Sequence, residues 1–486
     1  MKVKQRTTCQ TCRKRKLGCD GKTPECSQCT FSGRRCDGYS TDWTFVQDAR
    51  SKPGKKGKGE APLTTNQRPK SSDQTLTPSD TKVTISSGDF VALIVNSYMP
   101  TSELQHISDS SDTTRSRICG SWVETLPELL HGSSDSSVLY SAAKALALAI
   151  TSPTSRSSGS VACTQSYSVA IQALRKGFLS PESLNPAELT ASVMCLGLAE
   201  VMFPDSSLGL EAHFSGIEQL FQANGPQKYS SGVLHKLFVG FRPLLVLQAL
   251  QNRRSTFLAE DSWMTAPFTV FSPSPMQSLL CKGLPLSKIL IDIDVLLTAE
   301  SASIEEAAFI FTSLLETISR LEEWERSLRS SLNGPPYWSS PPSNHNQYTP
   351  SSKLSLWFPN ITLANVYTHL WAFHIICLSE LENLVDHLPC LILEHTTLWD
   401  RFLALGAEKQ MPVLAENICS SMDYLLQDEM GLFGPGSTFL PLMMAHRAFV
   451  KHRGTETEDV AWVREIVNRL VAKGLRSAPM AVYRIQ

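Results

Sequence analysis

Six cysteines fall within the first 36 residues: Cys9, Cys12, Cys19, Cys26, Cys29 and Cys36. Their spacing is C-x2-C-x6-C-x6-C-x2-C-x6-C, and the second half repeats the gaps of the first. Thiols placed this way could form three disulfides or hold metal. Disulfide frameworks belong to short secreted chains. This chain has 486 residues and opens Met-Lys-Val-Lys-Gln-Arg, with no apolar leader. Zinc fits better, because a CxxC turn brings two thiolates to one ion and structural zinc is tetrahedral. Two such ions want more ligand positions than six thiolates supply, unless two thiolates bridge. The repeat offers Cys9 and Cys26, the first of each half, as equivalent bridges. One four-cysteine site with two spare thiols stays open, but it leaves the third cysteine of each half unexplained.

Arg13-Lys-Arg-Lys16 follows directly on Cys12. Lys and Arg suit guanine O6 and N7 in the major groove, and they grip phosphate equally well. A short basic run is also the form of a nuclear-import signal, and the two roles are compatible. The charge distribution agrees with a polyanion-binding head. Residues 1–70 carry 17 Lys and Arg against 6 Asp and Glu, a net +11, whereas the rest of the chain carries a net −12. Lys52-Pro-Gly-Lys-Lys-Gly-Lys58 is a second basic patch, suited to import, to phosphate contacts or simply to solubility.

The run Cys9-Gln-Thr-Cys12-Arg-Lys-Arg-Lys-Leu-Gly-Cys19-Asp, with Pro24-Glu-Cys26-Ser-Gln-Cys29 and Gly33-Arg-Arg-Cys36, resembles the fungal binuclear zinc cluster transcription factors. The resemblance implies two zinc ions held by all six cysteines, with the first and fourth, Cys9 and Cys26, bridging. It implies two short helices, each following a CxxC, and double-stranded DNA as partner. It implies that basic residues of the first helix read a CGG triplet. By position Lys16 is the base reader with Arg15 beside it, and Arg13 and Lys14 hold phosphate. Gly18 departs from the pattern, since many members carry Lys or Arg there, and one phosphate contact is thereby in doubt. The segment has few apolar residues, chiefly Leu17 and Phe31, so metal must supply its stability.

The elements that carry this head read as follows. Residues 1–45 form the zinc cluster domain, 46–88 a disordered linker and 89–486 an all-α regulatory domain, a helical bundle or repeat-like body. Residues 51–88 hold only five apolar residues, too few for a core. No leucine heptad follows the head, so dimerisation through the helical body stays open, as does monomeric binding. Apolar steps of three and four predict helices over Ser137–Thr151, Val161–Phe178, Ala187–Phe203, Val233–Gln251, Ile361–Val385, Met411–Leu426 and Val460–Leu475. The clearest spans 304–328, capped by Ser303 with Glu306. Its stripe of Ile304, Ala307, Phe311, Leu314, Ile318, Leu321 and Leu328 predicts a core face rather than a coiled coil. Ser331–Ser352, with five prolines, predicts a long surface loop.

Parts of the body are similar to the fungal-specific regulatory region that often accompanies such heads. The similarity rests on His213-Phe-Ser-Gly216, Asn224-Gly-Pro226, Ala249-Leu-Gln-Asn-Arg253-Arg254-Ser-Thr-Phe257-Leu258, Trp263 and the Trp462…Gly474 stretch. It implies regulation without catalysis. No Walker loop, GxSxG or HExxH is present. His369 and His374 lie five apart and face different ways on a helix, as core histidines. Glu322, Glu323 and Glu325 read as a solvated charge run. The seven scattered cysteines read as small buried hydrophobes. No run approaches a membrane span. The sequence therefore predicts a nuclear transcription regulator that engages DNA and the transcription machinery or co-regulators, within a pathway such as a metabolic or secondary-metabolite gene cluster. The alternative is a zinc-tethered protein whose helical body is an unrecognised enzyme or chromatin adaptor.

Overall fold

The structure is a computed structural model. It describes Cys9, Thr11, Cys26, Cys29, Arg35 and Cys36, and residues 87–100, 119–131, 137–152, 159–178, 185–204, 207–299, 303–340 and 353–483. The chain divides into two units, Met1–Thr81 and Lys82–Gln486. The linker expected over 46–88 lies outside the described residues, apart from the last two, which open a helix.

The second unit is built of helices. The principal ones are α1 (Ser87–Tyr98), α2 (Val138–Thr151), α3 (Gly159–Phe178), α4 (Pro186–Met202), α5 (Ser207–Asn224), α6 (Gly232–Gln251), α7 (Pro275–Gly283), α8 (Leu286–Thr298), α9 (Ile304–Ser331), α10 (Ile361–His387), α11 (Ala407–Ser420), α12 (Phe439–Arg453) and α13 (Glu458–Ala472). In the first half α2 packs on α1, α3 and α4, and α4 on α5. In the second half α10 packs against α7, α9, α11 and α12. Two helices are buried on nearly every side, α4 and the first two-thirds of α10. A helix apolar all round belongs at the centre of a large core. Three of their buried hydroxyls bond within their own helix: Thr190 to the Pro186 carbonyl at 2.8 Å, Ser192 to Glu188 at 2.6 Å and Thr368 to Ala364 at 2.9 Å. Both α6 and α10 are long and apolar enough to cross a membrane, but their apolar windows are 78% and 94% buried within the protein, as core helices are.

Pro243 interrupts α6 and removes the amide that would bond the Val239 carbonyl. That carbonyl accepts instead from Gln277 Nε2 of α7 at 2.8 Å. Gln277 Oε1 in turn accepts from the fully buried Arg242 at 2.8 Å, whose guanidinium also lies 5.4 Å from the Phe268 ring centre. One turn earlier, Gly240 lets Trp122 pack directly on the helix. A Cβ there would stand 2.7 Å from the indole.

The end of α6 carries the Asn-Arg-Arg run. Arg253 takes a left-handed backbone, φ 47°, a position usually held by glycine. Its amide bonds the Leu250 carbonyl and that of Arg254 bonds Ala249, which closes the helix. The Arg253 guanidinium reaches Asp294 of α8 at 2.7 Å, Glu380 of α10, and the Leu290 carbonyl at 3.1 Å. Arg254 forks onto Glu218 of α5 at 2.7 and 2.9 Å. Two adjacent arginines thus tie the end of α6 to three other helices.

The stripe on α9 is a core face: Ala307, Phe311, Leu314, Ile318 and Leu321 are buried. Ser303 Oγ accepts from the Glu306 amide at 3.3 Å, as expected, and donates to the Glu305 carboxylate at 3.0 Å. Glu322 and Glu323 are exposed and Glu325 pairs with Arg329. Met411–Leu426 is two helices rather than one, α11 and a short Met422–Leu425, with a bend where the Ser421 hydroxyl takes the Asn417 carbonyl at 2.7 Å. The loop predicted over Ser331–Ser352 lies outside the described residues from 341 to 352, and its earlier part is not all loop. Trp338–Ser340 pairs antiparallel with Ser355–Trp357, Trp338 opposite Trp357, the only strand pair among the described residues. Three-residue strands are too brief to leave a period-two pattern.

Burial pushes His213, His369 and His374 down to about 4. An unfolded histidine titrates near 6.5. Between these values the unfolded chain takes up as many as three protons that the folded chain refuses. Stability is therefore full above about pH 6.5 and falls as pH drops toward 4, which the denaturant midpoint followed against pH will register. Arg253→Gly relieves the left-handed strain, roughly 1 kcal/mol, but strands Glu380 and Asp294. A net loss of about 2 kcal/mol is expected in urea unfolding. A gain in stability would mean that the ion pairs contribute nothing.

Candidate metal centre

In the first unit the Sγ atoms of Cys9, Cys26, Cys29 and Cys36 all lie within 4.8 Å of one another. Cys9 Sγ is 3.6 Å from Cys26 Sγ and 3.7 Å from Cys29 Sγ. A disulfide would bring two sulfurs to about 2.05 Å, so these thiols are not crosslinked to one another. Four sulfurs bound tetrahedrally at about 2.3 Å from zinc stand about 3.8 Å apart. The observed separations are those of the edges of such a tetrahedron.

Local structure explains how the sulfurs meet. The Cys29 amide bonds the Cys26 carbonyl at 3.0 Å, closing the Cys26–Cys29 turn, and lies 3.4 Å from Cys26 Sγ. An amide aimed at a thiolate stabilises its charge and fixes its orientation, as outer partners of metal ligands do. Thr11 and Cys29 have helical backbone, one in each CxxC half. The Thr11 hydroxyl donates to the Arg35 carbonyl at 3.2 Å and so pins the first CxxC to the end of the second half. Sequence reading did not single out Thr11, because its partner lies 24 residues away. Cys9 and Cys26 are fully buried and Cys29 is 1% exposed, and the only buried cluster described in this unit is made of cysteine. Soft thiolates are the donor set of zinc. The residues present fit the ion.

The group joins the first cysteine of both halves, Cys9 and Cys26, with Cys29 and Cys36 of the second. Cys12, Cys19, Arg13, Lys14, Arg15 and Lys16 lie outside the described residues. Among the described residues no other trio of His, Cys, Asp or Glu is placed to hold a metal. Of the seven other cysteines, Cys119, Cys163, Cys195, Cys377 and Cys419 are buried, and Cys281 and Cys390 are half-buried. Burial pushes the Cys119 thiol up to about 11, so it stays protonated. His369 and His374 are core residues, 2% and 6% exposed.

Residues 7–42 match the fungal Zn(2)-Cys(6) binuclear cluster domain. No curated protein and no solved structure matches the chain. That domain belongs to transcription factors rather than enzymes, and such factors are generally nuclear. The match, the thiol spacing and the sulfur geometry converge. The N-terminal segment is a fungal-type binuclear zinc cluster domain that binds two zinc ions, a DNA-binding domain of transcription regulators.

Proposed function

We propose that the chain is a nuclear, sequence-specific regulator of RNA polymerase II genes that reads CGG-type sites through its zinc cluster and serves one metabolic or secondary-metabolite pathway. The observation that carries this reading is the four-sulfur group of Cys9, Cys26, Cys29 and Cys36 with Arg13-Lys-Arg-Lys16 directly following Cys12. Cysteines spaced for metal on both sides of the basic run are something an isolated import signal would not need. All six cysteines are ligands. Cys9 and Cys26 bridge, because the described site already uses both and Cys12 and Cys19 alone cannot complete a second tetrahedron. Lys16 reads guanine edges with Arg15 beside it, while Arg13, Lys14 and the lysines of 52–58 hold phosphate. The helical body, with its net negative charge, receives the regulatory partner, a co-regulator or the transcription machinery, and offers the surface for a homodimer.

Two outcomes test this. In native mass spectrometry of the full chain, Cys12→Ser retains one zinc, in the Cys9, Cys26, Cys29 and Cys36 site, whereas Cys9→Ser and Cys26→Ser lose both. A Cys9→Ser protein that keeps one ion refutes the bridge. In binding assays at one fixed salt, Lys16→Ala reduces affinity for CGG duplexes by about 1–3 kcal/mol more than for scrambled duplexes. Lys56→Ala weakens both alike and lowers the salt slope by roughly one. Equal losses for Lys16→Ala on both duplexes would make it a phosphate contact and move base reading elsewhere.

A further inference from the structure

The helical unit contains a part-open cavity of about 150 Å³. Its wall is drawn from both halves: Met202 of α4, Leu244 and Leu247 of α6, Met276 of α7, and Phe433 and Leu440 from the C-terminal part. Met202, Met276 and Leu440 are buried, whereas Leu244, Leu247 and Phe433 keep part of their surface accessible. No Lys, Arg, Asp or Glu lines it among the described residues.

The polar residues of the lining fall into two groups. Gln251, Thr362 and Ser437 are half-buried and so keep access to water. Asn365 and Gln248 are buried and already bonded: the Asn365 side-chain oxygen accepts from Ser437 at 2.6 Å, and Gln248 Oε1 accepts from Arg254 at 3.1 Å. Protein interiors are packed as tightly as organic crystals, with few spaces larger than a water molecule. A space of this size, with aliphatic and aromatic walls and access to solvent, sets water against apolar surface, which is unfavourable. Sites for small molecules have this character, apolar within and carrying a few polar groups.

We propose that this cavity binds the hydrocarbon end of an uncharged amphiphile, a chain or ring of about six to eight carbon atoms, and leaves the polar end of the molecule at the open side. The wall excludes an ion from the inner part, since no opposite charge is present to compensate it. It excludes a second hydroxyl at the inner end as well, because that group loses its water and meets an apolar wall. The occupant touches helices of both halves, so binding stabilises the whole unit. The inference stands on the cavity alone and does not depend on how the zinc cluster reads DNA.

The test uses the zinc-loaded full chain with the straight-chain primary alcohols from butanol to dodecanol, followed by ligand-observed NMR and by melting temperature. Binding is saturable and raises the melting temperature. Affinity climbs about fourfold per added CH₂ and levels off near octanol, where the tail fills the space. The eight-carbon diol with a hydroxyl at each end binds about tenfold more weakly than octanol, or worse. Leu247→Asp sets a carboxylate in the wall and weakens octanol by about tenfold. Phe309 is 73% exposed and does not line the cavity, so Phe309→Asp leaves octanol binding within about twofold. Gly436 lines the cavity and a Cβ there meets nothing within 4 Å, so Gly436→Leu occupies the space and removes binding. The proposal fails if no alcohol binds saturably, if affinity keeps climbing to dodecanol as in unspecific partitioning, or if the diol matches octanol. It fails also if Leu247→Asp weakens octanol no more than Phe309→Asp does, or if Gly436→Leu still binds it. Should Leu247→Asp not fold, the chain-length series, the diol and Gly436→Leu still decide.

Discussion

Zinc–sulfur bonding must do in the N-terminal unit what apolar burial does elsewhere. Around Cys9, Cys26, Cys29 and Cys36 the buried cluster described in this unit is thiol alone. Four thiolates in near contact repel one another unless a cation sits among them. The metal therefore holds together the described turn at Cys26–Cys29 and the sulfur of Cys9 that meets it. Metal binding in such a site is coupled to folding, because the described core of this unit is made of its ligands.

The helical unit solves the opposite problem. It has ample apolar surface and must dispose of the polar groups that its central helices bury. The hydroxyls of Thr190 and Ser192 in α4 and of Thr368 in α10 turn back onto their own helix. The carbonyl freed by Pro243 takes the Gln277 amide, and Gln277 in turn satisfies the buried Arg242. Several of these polar groups are matched close to where they arise, whereas His369 Nε2, Tyr367 Oη and Arg242 Nε have no partner among the described residues.

Much of this was legible in the sequence. Ligand spacing in the cluster is short-range, so C-x2-C repeated at six-residue gaps named the metal and the four cysteines that the structure brings together. Amphipathic helices such as α9, with Ser303 as cap, announced themselves through local periodicity. Helix α12 is apolar on several faces, and α8 contains Ile-Leu-Ile-Asp-Ile-Asp-Val, an alternation that suits a strand equally well. Neither could be read from its rhythm. The Asn-Arg-Arg run stood out as a signature, but its structural role was hidden, since Glu380 lies 127 residues beyond Arg253. The cavity was invisible for the same reason. Its wall is assembled from helices distant in sequence, and empty volume has no residue of its own.

The arginine pair at the end of α6 has a consequence in time as well as in energy. Its partners stand 36, 41 and 127 residues away along the chain. Closing such loops costs entropy before any contact rewards it. The left-handed turn at Arg253 is therefore uncompensated early in folding and is repaid only when α8 and α10 dock. Interactions that form after the rate-limiting step leave the folding rate nearly untouched and slow the reverse reaction. The Asp294 and Glu380 pairs thus join segments far apart along the chain, and they exist only once α6, α8 and α10 have come together.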